Sequence, residues 1–87
     1  MAPKITIRYW AAAKEAAGVP EESLEAASLA EALAAAVARR GPGSRLHEVL
    51  ARSSFLVNAA PAGRAPRESI KLDEGAVVEV LPPFAGG

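Results

Sequence analysis

The 87-residue sequence predicts a single mixed α+β domain. Three observations support this fold class: an alternating apolar and polar segment at the amino end, a long helical pattern at mid-chain, and an apolar run rich in valine near the carboxyl end. The predicted order is strand, helix, strand, long helix, short helix and further strands, without an internal repeat or a linker.

The first strand is predicted by strict alternation over residues 4–10. Ile5, Ile7 and Tyr9 share one face, and this face is expected to be buried. Trp10 falls on the opposite, polar face of the same predicted strand. The segment is therefore expected to be half-buried in a sheet.

A short alanine-rich helix and a second strand are predicted next. Residues 11–17 are rich in alanine, and Gly18 can end their helix in the left-handed conformation. Residues 21–26 have a weak strand pattern, which favours a position at an edge of the sheet.

The main helix is predicted from its start signal and its apolar stripe. Ser28 and Glu31 have the spacing of a capping box, in which the serine oxygen accepts an early backbone N–H and the glutamate reaches back to the cap. Apolar residues then recur every four positions from Leu29 to Val37, which predicts one buried face. The glycines and proline of residues 41–43 end the helix.

Six further segments are predicted in the carboxyl half of the sequence. They are a short helix within 44–52, a strand over 55–58, a loop over 59–68, a short extended piece over 69–72, a turn at 73–75 and a last strand over 76–81. Pro82 ends the last strand because it has no backbone N–H to donate. We therefore predict a folded domain over 1–81 and an extended tail over 82–87.

The composition excludes several classes of function. Ten lysines and arginines balance ten aspartates and glutamates, and no basic stripe contains interleaved aromatic residues, so nucleic-acid binding is not expected. No apolar run approaches about 18 residues and no secretory pattern is present, which predicts a soluble cytoplasmic protein without membrane contact. The absence of cysteine excludes disulfides, thiolate metal sites and a cysteine nucleophile.

Reactive side chains are sparse in the body of the sequence. His47 is the single histidine and is expected to be an ordinary, partly exposed helix residue. Ser53 and Ser54 have no glycine pattern of a nucleophile elbow beside them. Too few ligands are present for a structural zinc site, so no metal is expected. We therefore predict that the chain is not catalytic alone.

The tail is the feature that points to chemistry. Pro82 and Pro83 hold the backbone extended, and six residues span at most about 20 Å. The tail continues through Phe84 and Ala85 to two residues with the narrowest possible backbone, Gly86 and Gly87. The terminal carboxylate is ionised at neutral pH and is a poor electrophile. Adenylation by ATP in a partner enzyme would activate it, and a sulfur donor could then convert it to a thiocarboxylate.

Two apolar residues are predicted to lie on polar faces near the tail. Trp10 is on the polar face of the first strand, and Leu81 is on the face of the last strand opposite Val78 and Val80. An isolated exposed apolar side chain needs no explanation. If the two strands are neighbours, however, the pair is equally well interpreted as a protein-binding patch.

The sequence resembles the MoaD/ThiS family of sulfur carriers over nearly its whole length. The resemblance rests on the Ala-Ala-Lys-Glu-Ala-Ala-Gly segment, the Leu-Val-Asn strand, the Asp-Glu-Gly turn and the final Leu-Pro-Pro-Phe-Ala-Gly-Gly. The proline pair before Gly-Gly is most similar to the branch of molybdopterin synthase small subunits. The family fold is the ubiquitin-like β-grasp, in which a mixed sheet wraps one main helix and the carboxyl end forms an extended tail.

The resemblance also implies a mechanism and a set of partners. A MoeB-like adenylating enzyme would use ATP to adenylate Gly87, and a sulfur donor protein would supply the sulfur of the thiocarboxylate. The tail would insert into a MoaE-like large synthase subunit, which transfers sulfur to cyclic pyranopterin monophosphate. Trp10, Lys14 and Leu81 match positions of partner contacts in the family. The resemblance implies no cofactor bound by the chain itself.

Two local departures from the family pattern are present. Phe84 and Ala85 replace the more common Val-Thr or Val-Ala pair of the tail, and Ala59 and Ala60 replace a more polar turn. Three alternatives remain open. The same carrier chemistry could serve cysteine, thiosugar, thiamine or tRNA thiolation. The protein could instead be a ubiquitin-like modifier joined to lysines through Gly87, or a binding module that uses Trp10 and Leu81 alone.

Overall fold

A computed structural model describes residues 2–41 and 43–83 of the chain. Within these residues, three α-helices and one five-stranded sheet are formed. The elements in chain order are β1 (Lys4–Tyr9), α1 (Ala11–Ala17), β2 (Glu21–Glu25), α2 (Leu29–Arg40), α3 (Leu46–Arg52), β3 (Ser54–Val57), β4 (Ala60–Pro61), a 3₁₀ turn (Arg67–Ser69) and β5 (Val77–Leu81). The predicted α+β class is therefore confirmed.

The sheet is mixed, with the strand order β2-β1-β5-β3-β4. The two central strands β1 and β5 run parallel, and the other neighbouring pairs are antiparallel. The first and last strands of the chain thus lie side by side at the middle of the sheet. Strand β2 lies at one edge, as its weak pattern predicts, and β4 lies at the other.

The core lies between one face of the sheet and helix α2. The alternation in β1 is confirmed, because Ile5, Ile7 and Tyr9 are buried. The inner face of β5 and the apolar stripe of α2 add the buried residues Val78, Val80, Leu29, Ala32, Leu33 and Ala36, and the other helices, strands and loops add Ala13, Leu24, Ala26, Leu46, Leu50, Phe55, Leu72 and Ala76. Alanine at two core positions of the helix brings its backbone close to the sheet. The sheet therefore wraps this single main helix.

The start of α2 uses the predicted capping box with one difference. The backbone N–H of Glu31 donates to Oγ of Ser28 over 3.2 Å, as expected. The Glu31 carboxylate accepts from the backbone N–H of Ala27 over 3.2 Å, one residue before the predicted donor at the cap. Both contacts satisfy N–H groups that have no partner inside the helix.

The alternation predicts that Trp10 is the last residue of β1, and this prediction is wrong. The strand ends at Tyr9, and Trp10 is the N-cap of α1 with extended backbone angles. Ala11 follows with φ of +49°, so the chain turns sharply between the strand and the helix. Gly18 ends α1 in the left-handed conformation with φ of +81°, as predicted.

The segment predicted as a loop over 59–68 contains a strand and the start of the 3₁₀ turn. Strand β4 pairs with β3 through a tight hairpin, with Asn58 and Ala59 at φ of +50° and +69°. Asn58 therefore belongs to the turn and not to the predicted strand over 55–58. Its backbone N–H donates to the carbonyl of Val77 over 2.8 Å, and its Oδ1 accepts from the N–H of the same residue over 2.9 Å.

The remaining differences are small. The extended piece predicted over 69–72 is reduced to one bridge between Lys71 and Ser28. The turn at 73–75 forms as predicted, with Gly75 at φ of +84° and its N–H donating to the carbonyl of Lys4 over 2.8 Å. No helix in the described ranges is long and apolar enough to cross a bilayer.

Candidate functional site

The tail leaves the body of the protein from the centre of the sheet. Strand β5 lies between β1 and β3, and its last residue, Leu81, is opposite Ser54. Pro82 is half-buried and Pro83 is exposed. The root of the tail is therefore held by a neighbouring strand on each side. The predicted tail residues Phe84, Ala85, Gly86 and Gly87 lie outside the described residues.

Trp10 and Leu81 lie at the same end of two neighbouring strands. Strands β1 and β5 are parallel, and their last paired residues are Tyr9 and Val80. The next residue along each strand direction is Trp10 in one chain segment and Leu81 in the other. The Trp10 side chain is 48% exposed, and Leu81 is half-buried. The structure thus meets the condition under which the two residues could form one patch.

The Trp10 indole is tied to the last strand through a polar contact. Its Nε1–H donates to Oε1 of Glu79 over 3.2 Å. Glu79 is paired in register with Arg8, and Nε of Arg8 lies 3.3 Å from Oε1 of Glu21 on the edge strand. The outer face of the sheet beside the root of the tail therefore carries a row of four charged or aromatic side chains: Trp10, Glu79, Arg8 and Glu21.

Lys14 lies beside the same residues. A small groove of about 160 Å³ is lined by Arg8, Tyr9, Trp10, Lys14, Pro20 and Glu21. The structure thus brings Lys14 and Trp10 to one depression, although Leu81 does not line it. We call Arg8, Trp10, Lys14, Glu79 and Leu81 together the tail-base surface.

Arg8 and Glu79 are missing from the residues that sequence reasoning singled out. A signal for Glu79 exists, because it is the single charged residue in the otherwise apolar strand β5. A charge on a central strand must find a partner on the outer face of the sheet. That Arg8 is the residue opposite Glu79 follows only from the register of β1 against β5.

A hydrogen-bonded cluster lies directly behind the tail-base surface. The Tyr9 hydroxyl donates to Oε2 of Glu22, and the same carboxylate accepts from Nη1 of Arg39 over 3.0 Å and from Nη1 of Arg40 over 2.8 Å. Arg40 also donates to the carbonyl oxygen of Ala17 over 2.9 Å. Strands β1 and β2 and helices α1 and α2 are thereby joined at one point.

The cluster shifts the acidity of its two titratable members. Burial of the Tyr9 phenol, reinforced by its hydrogen bond to the Glu22 carboxylate, raises the pKa of Tyr9 above its ordinary value. Burial alone would raise the pKa of Glu22 as well. The hydrogen bonds from Arg40 and Tyr9 and the arginine charge outweigh that effect and lower the pKa of Glu22 below its ordinary value of 4.5. Glu22 is therefore a carboxylate at neutral pH.

The remaining candidate residues have ordinary structural surroundings. His47 is an exposed residue of α3, away from the tail-base surface. The Ser53 hydroxyl donates to the carbonyl oxygen of Val49 over 2.7 Å at the end of the same helix. Among the residues that the structure describes, no group of three or more histidine, aspartate or glutamate side chains could hold a metal ion.

The fold is shared with several solved structures. Small archaeal modifier protein 1 from Methanosarcina acetivorans superposes with a TM-score of 0.78 at 19% identity, covering 100% of this chain and 99% of that one. Molybdopterin converting factor subunit 1 from Pyrococcus furiosus has a TM-score of 0.68 at 22% identity, covering 94% and 99%. The complex of subunits 1 and 2 of molybdopterin-converting factor from Helicobacter pylori gives 0.66 at 24% identity, covering 97% and 99%.

These likenesses establish the ubiquitin-like β-grasp fold that the resemblance implies. No individually curated protein matches the sequence significantly. The ThiS family, in contrast, matches over residues 7–87, a range that begins within β1 and includes all later elements and the tail residues. The chain therefore belongs to the ThiS family.

Proposed function

We propose that the protein is a sulfur carrier whose Gly87 carboxylate is adenylated and then converted to a thiocarboxylate. The observation that carries this proposal is the ThiS family match, which extends through the tail to Gly87. The body of the protein supports it, because the described residues contain neither a metal cluster nor a cysteine nucleophile. The tail root on the central strand provides a fixed point from which the tail can enter an active site.

The first chemical step is activation of the carboxylate. A carboxylate oxygen of Gly87 attacks the α-phosphorus of ATP, pyrophosphate leaves, and the product is an acyl adenylate. A MoeB-like adenylating enzyme supplies this site, and ATP is its substrate and not a group held by the present chain. Glycine at the last two positions leaves the acyl carbon without a side chain beside it.

The second step replaces the nucleotide by sulfur. A hydrosulfide equivalent from a sulfur donor protein attacks the acyl carbon, a C–S bond forms, and the C–O bond to AMP breaks. The thiocarboxylate then donates its sulfur to cyclic pyranopterin monophosphate in a MoaE-like large synthase subunit; the C–S bond at Gly87 breaks, and water attacks the acyl carbon and restores the carboxylate. The Helicobacter pylori relative was solved as a complex of subunits 1 and 2, which supports a partner of this kind.

The tail-base surface is the proposed contact with these partners. Trp10 provides exposed aromatic area, the residue class that most often carries binding energy at interfaces. Lys14 adds a positive charge beside it, and Leu81 adds apolar area at the root of the tail. A partner that grips this surface receives the tail in a defined direction.

The pathway is tested with protein that already carries the thiocarboxylate sulfur at Gly87. Thiocarboxylated protein, made by cleaving an intein fusion with sulfide, is mixed with the large synthase subunit and cyclic pyranopterin monophosphate. We expect molybdopterin to form, and no product from the chain with an ordinary carboxylate. If loaded protein forms no molybdopterin but delivers sulfur to a cysteine, thiosugar, thiamine or tRNA precursor, the carrier chemistry stands and the pathway is wrong.

A second function, as a ubiquitin-like protein modifier, is supported by the modifiers among the solved structures that share this fold. Small archaeal modifier protein 1 has a TM-score of 0.78 for the Methanosarcina acetivorans protein and 0.68 for the Haloferax volcanii protein, against 0.68 and 0.66 for the two molybdopterin converting factors. In this function the activated Gly87 would form an isopeptide bond with a lysine amine, and AMP would leave. Peptide mass spectrometry of host cells would then find lysines carrying a tail-derived branch that disappears when Gly87 is deleted.

A further inference from the structure

An open apolar groove lies on the helical side of the domain, between α2 and α3. Its volume is about 500 Å³. The lining residues are Leu33, Ala34, Val37, Ala38, Gly41, His47, Leu50, Ala51 and Arg67. None of them belongs to the tail-base surface, and none is used in the proposed sulfur chemistry.

The shape of the groove suits a helix better than a small molecule. Leu33 and Leu50 are buried and form its floor, whereas Ala34, Ala38 and Ala51 on its walls are exposed. The site is therefore an open trough and lacks the enclosure typical of small-molecule sites. Alanine walls let the backbone of an incoming helix approach closely, as in helix-in-groove recognition.

Arg67 gives the groove a positive charge. Arg67 is half-buried in its wall, with the guanidinium carbon 4.6 Å from the centre of the Phe55 ring and Nη2 donating to the carbonyl oxygen of Leu50 over 3.2 Å. These contacts hold the guanidinium in place. Within the described part of the chain, no carboxylate lies within 4.0 Å of Arg67, and no acidic residue lines the groove. A held cation without a counter-ion is complementary to an anionic group.

The groove lies on the inner, helix-covered side of the sheet, whereas Arg8, Trp10 and Glu79 of the tail-base surface lie on the outer side. Helix α2 covers the inner face with Leu29, Leu33 and Ala36, whereas Trp10 and Glu79 belong to the outer face. An occupant of the groove therefore leaves the side chains of Trp10 and Glu79 accessible. A second protein could hold the carrier while the tail is in use.

We propose that this groove binds an acidic amphipathic helix of a partner protein. Two apolar side chains one helical turn apart would fill the trough over Leu33 and Leu50, and a carboxylate on the flank of the helix would pair with Arg67. The alanine walls allow the backbone of the incoming helix to come close to the groove, and Arg67 favours a ligand that carries an acidic group. The proposal concerns a surface separate from the sulfur chemistry and does not depend on the proposed function.

The test is a titration of ¹⁵N-labelled full-length protein with designed helical peptides, followed by amide chemical shifts. The probe is a stapled peptide of about 14 residues, a length at which an unstapled helix is marginal. It carries leucines at positions i and i+4 and a glutamate at i+7. One matched peptide has lysine in place of the glutamate, and another has alanines in place of the leucines. Decanoate is titrated separately as a fatty-acid probe.

We expect saturable shifts at Leu33, Val37 and Ala51 with the acidic peptide, and binding weaker by about fivefold with the lysine peptide and in Arg67→Gln. Ala38→Trp fills the trough from an exposed position and should abolish the shifts. Arg64→Gln, an exposed arginine outside the groove, and deletion of Gly86 and Gly87 should leave binding unchanged.

The amide dispersion of each variant shows whether its fold is retained. The proposal would be overturned by the absence of saturable shifts at the groove, by equal binding of the acidic and lysine peptides, or by shifts confined to the tail-base surface. Saturation of the groove by decanoate in the absence of peptide binding would also overturn it, because the groove would then be a lipid site.

Discussion

The indole Nε1–H of Trp10 donates to Oε1 of Glu79, 3.2 Å away and 69 positions further along the chain. The contact joins the residue that follows the first strand to the strand that continues into the tail. The acceptor is a carboxylate, and the contact is exposed to solvent. Among the described residues, Trp10 has the most exposed aromatic side chain, and its position is therefore set by the same strand that leads into the tail.

Replacing Glu79 by alanine is expected to free the indole. Trp10 is the single tryptophan of the chain, so its fluorescence reports on this contact directly. We predict lower fluorescence anisotropy and stronger acrylamide quenching in Glu79→Ala than in the parent protein. Glu25→Ala, on the edge strand, is the matched control and should leave both quantities unchanged. Equal quenching in all three proteins would show that the carboxylate does not hold the ring.

Trp10→Ala is expected to weaken binding to the large synthase subunit by about 10-fold or more, because a buried interface tryptophan commonly contributes this much. Isothermal titration calorimetry measures the affinity. Val19→Ala is the control, since Val19 is the other exposed large apolar residue of the described chain, with 36% exposure, and it does not line the groove beside Trp10. If both variants bind as the parent does, the patch is not an interface.

Glu22→Gln is expected to lower the free energy of unfolding by about 2 kcal/mol near neutral pH, because the Glu22 side chain is only 11% exposed and accepts from Tyr9, Arg39 and Arg40. The folded-state pKa of Glu22 is below its ordinary value of 4.5. Its stabilisation is therefore complete above pH 4.5 and is lost as the pH falls through the folded-state pKa.

Urea unfolding at several pH values measures this difference. The gap in stability between the parent and Glu22→Gln should shrink steadily as the medium is acidified below about pH 4. Glu21→Gln is the control on the same strand, since the Glu21 side chain is 54% exposed in its pair with Arg8. Glu21→Gln should lower the free energy of unfolding by less than about 1 kcal/mol. If the difference in unfolding free energy between the parent and Glu22→Gln stays constant with pH, the ionised Glu22 carboxylate does not stabilise the fold.

Ala59→Gly is expected to stabilise the protein by about 0.5–1 kcal/mol, because Ala59 has φ of +69° in the hairpin turn, and an L-residue with a side chain is strained there. Asn-Gly is also the preferred pair for such turns. Ala60→Gly, one residue later in strand β4, should destabilise instead. Thermal unfolding of both variants tests the prediction, and equal shifts in the same direction would refute it.

The elements of this fold were predictable where the signal is local. Alternation in Ile5, Ile7 and Tyr9 identifies β1 because burial on one face needs a period of two residues. The capping box at Ser28 and the glycine at Gly18 mark helix ends through contacts made within a few residues. The end of β5 at Leu81 follows in the same way from Pro82.

The polar contacts of the site were not predictable, because they join residues far apart in sequence. Trp10 meets Glu79, and Tyr9 meets Glu22 and Arg40, only once the sheet order is known. Strand β4 was also missed. It depends on the turn at Asn58 and Ala59, and alanine gives no local indication of a left-handed conformation.

The central claim is that Gly87 is the reactive group, and the intact mass of the protein tests it most directly. The chain is incubated with its adenylating enzyme, ATP and a sulfur donor, and the mass of the whole protein and of its carboxyl-terminal peptide is measured. We predict a gain of about 16 Da, from exchange of one oxygen for sulfur, located on the peptide that contains Gly87. No gain in the parent protein, or the same gain in a chain that lacks Gly87, would contradict the claim.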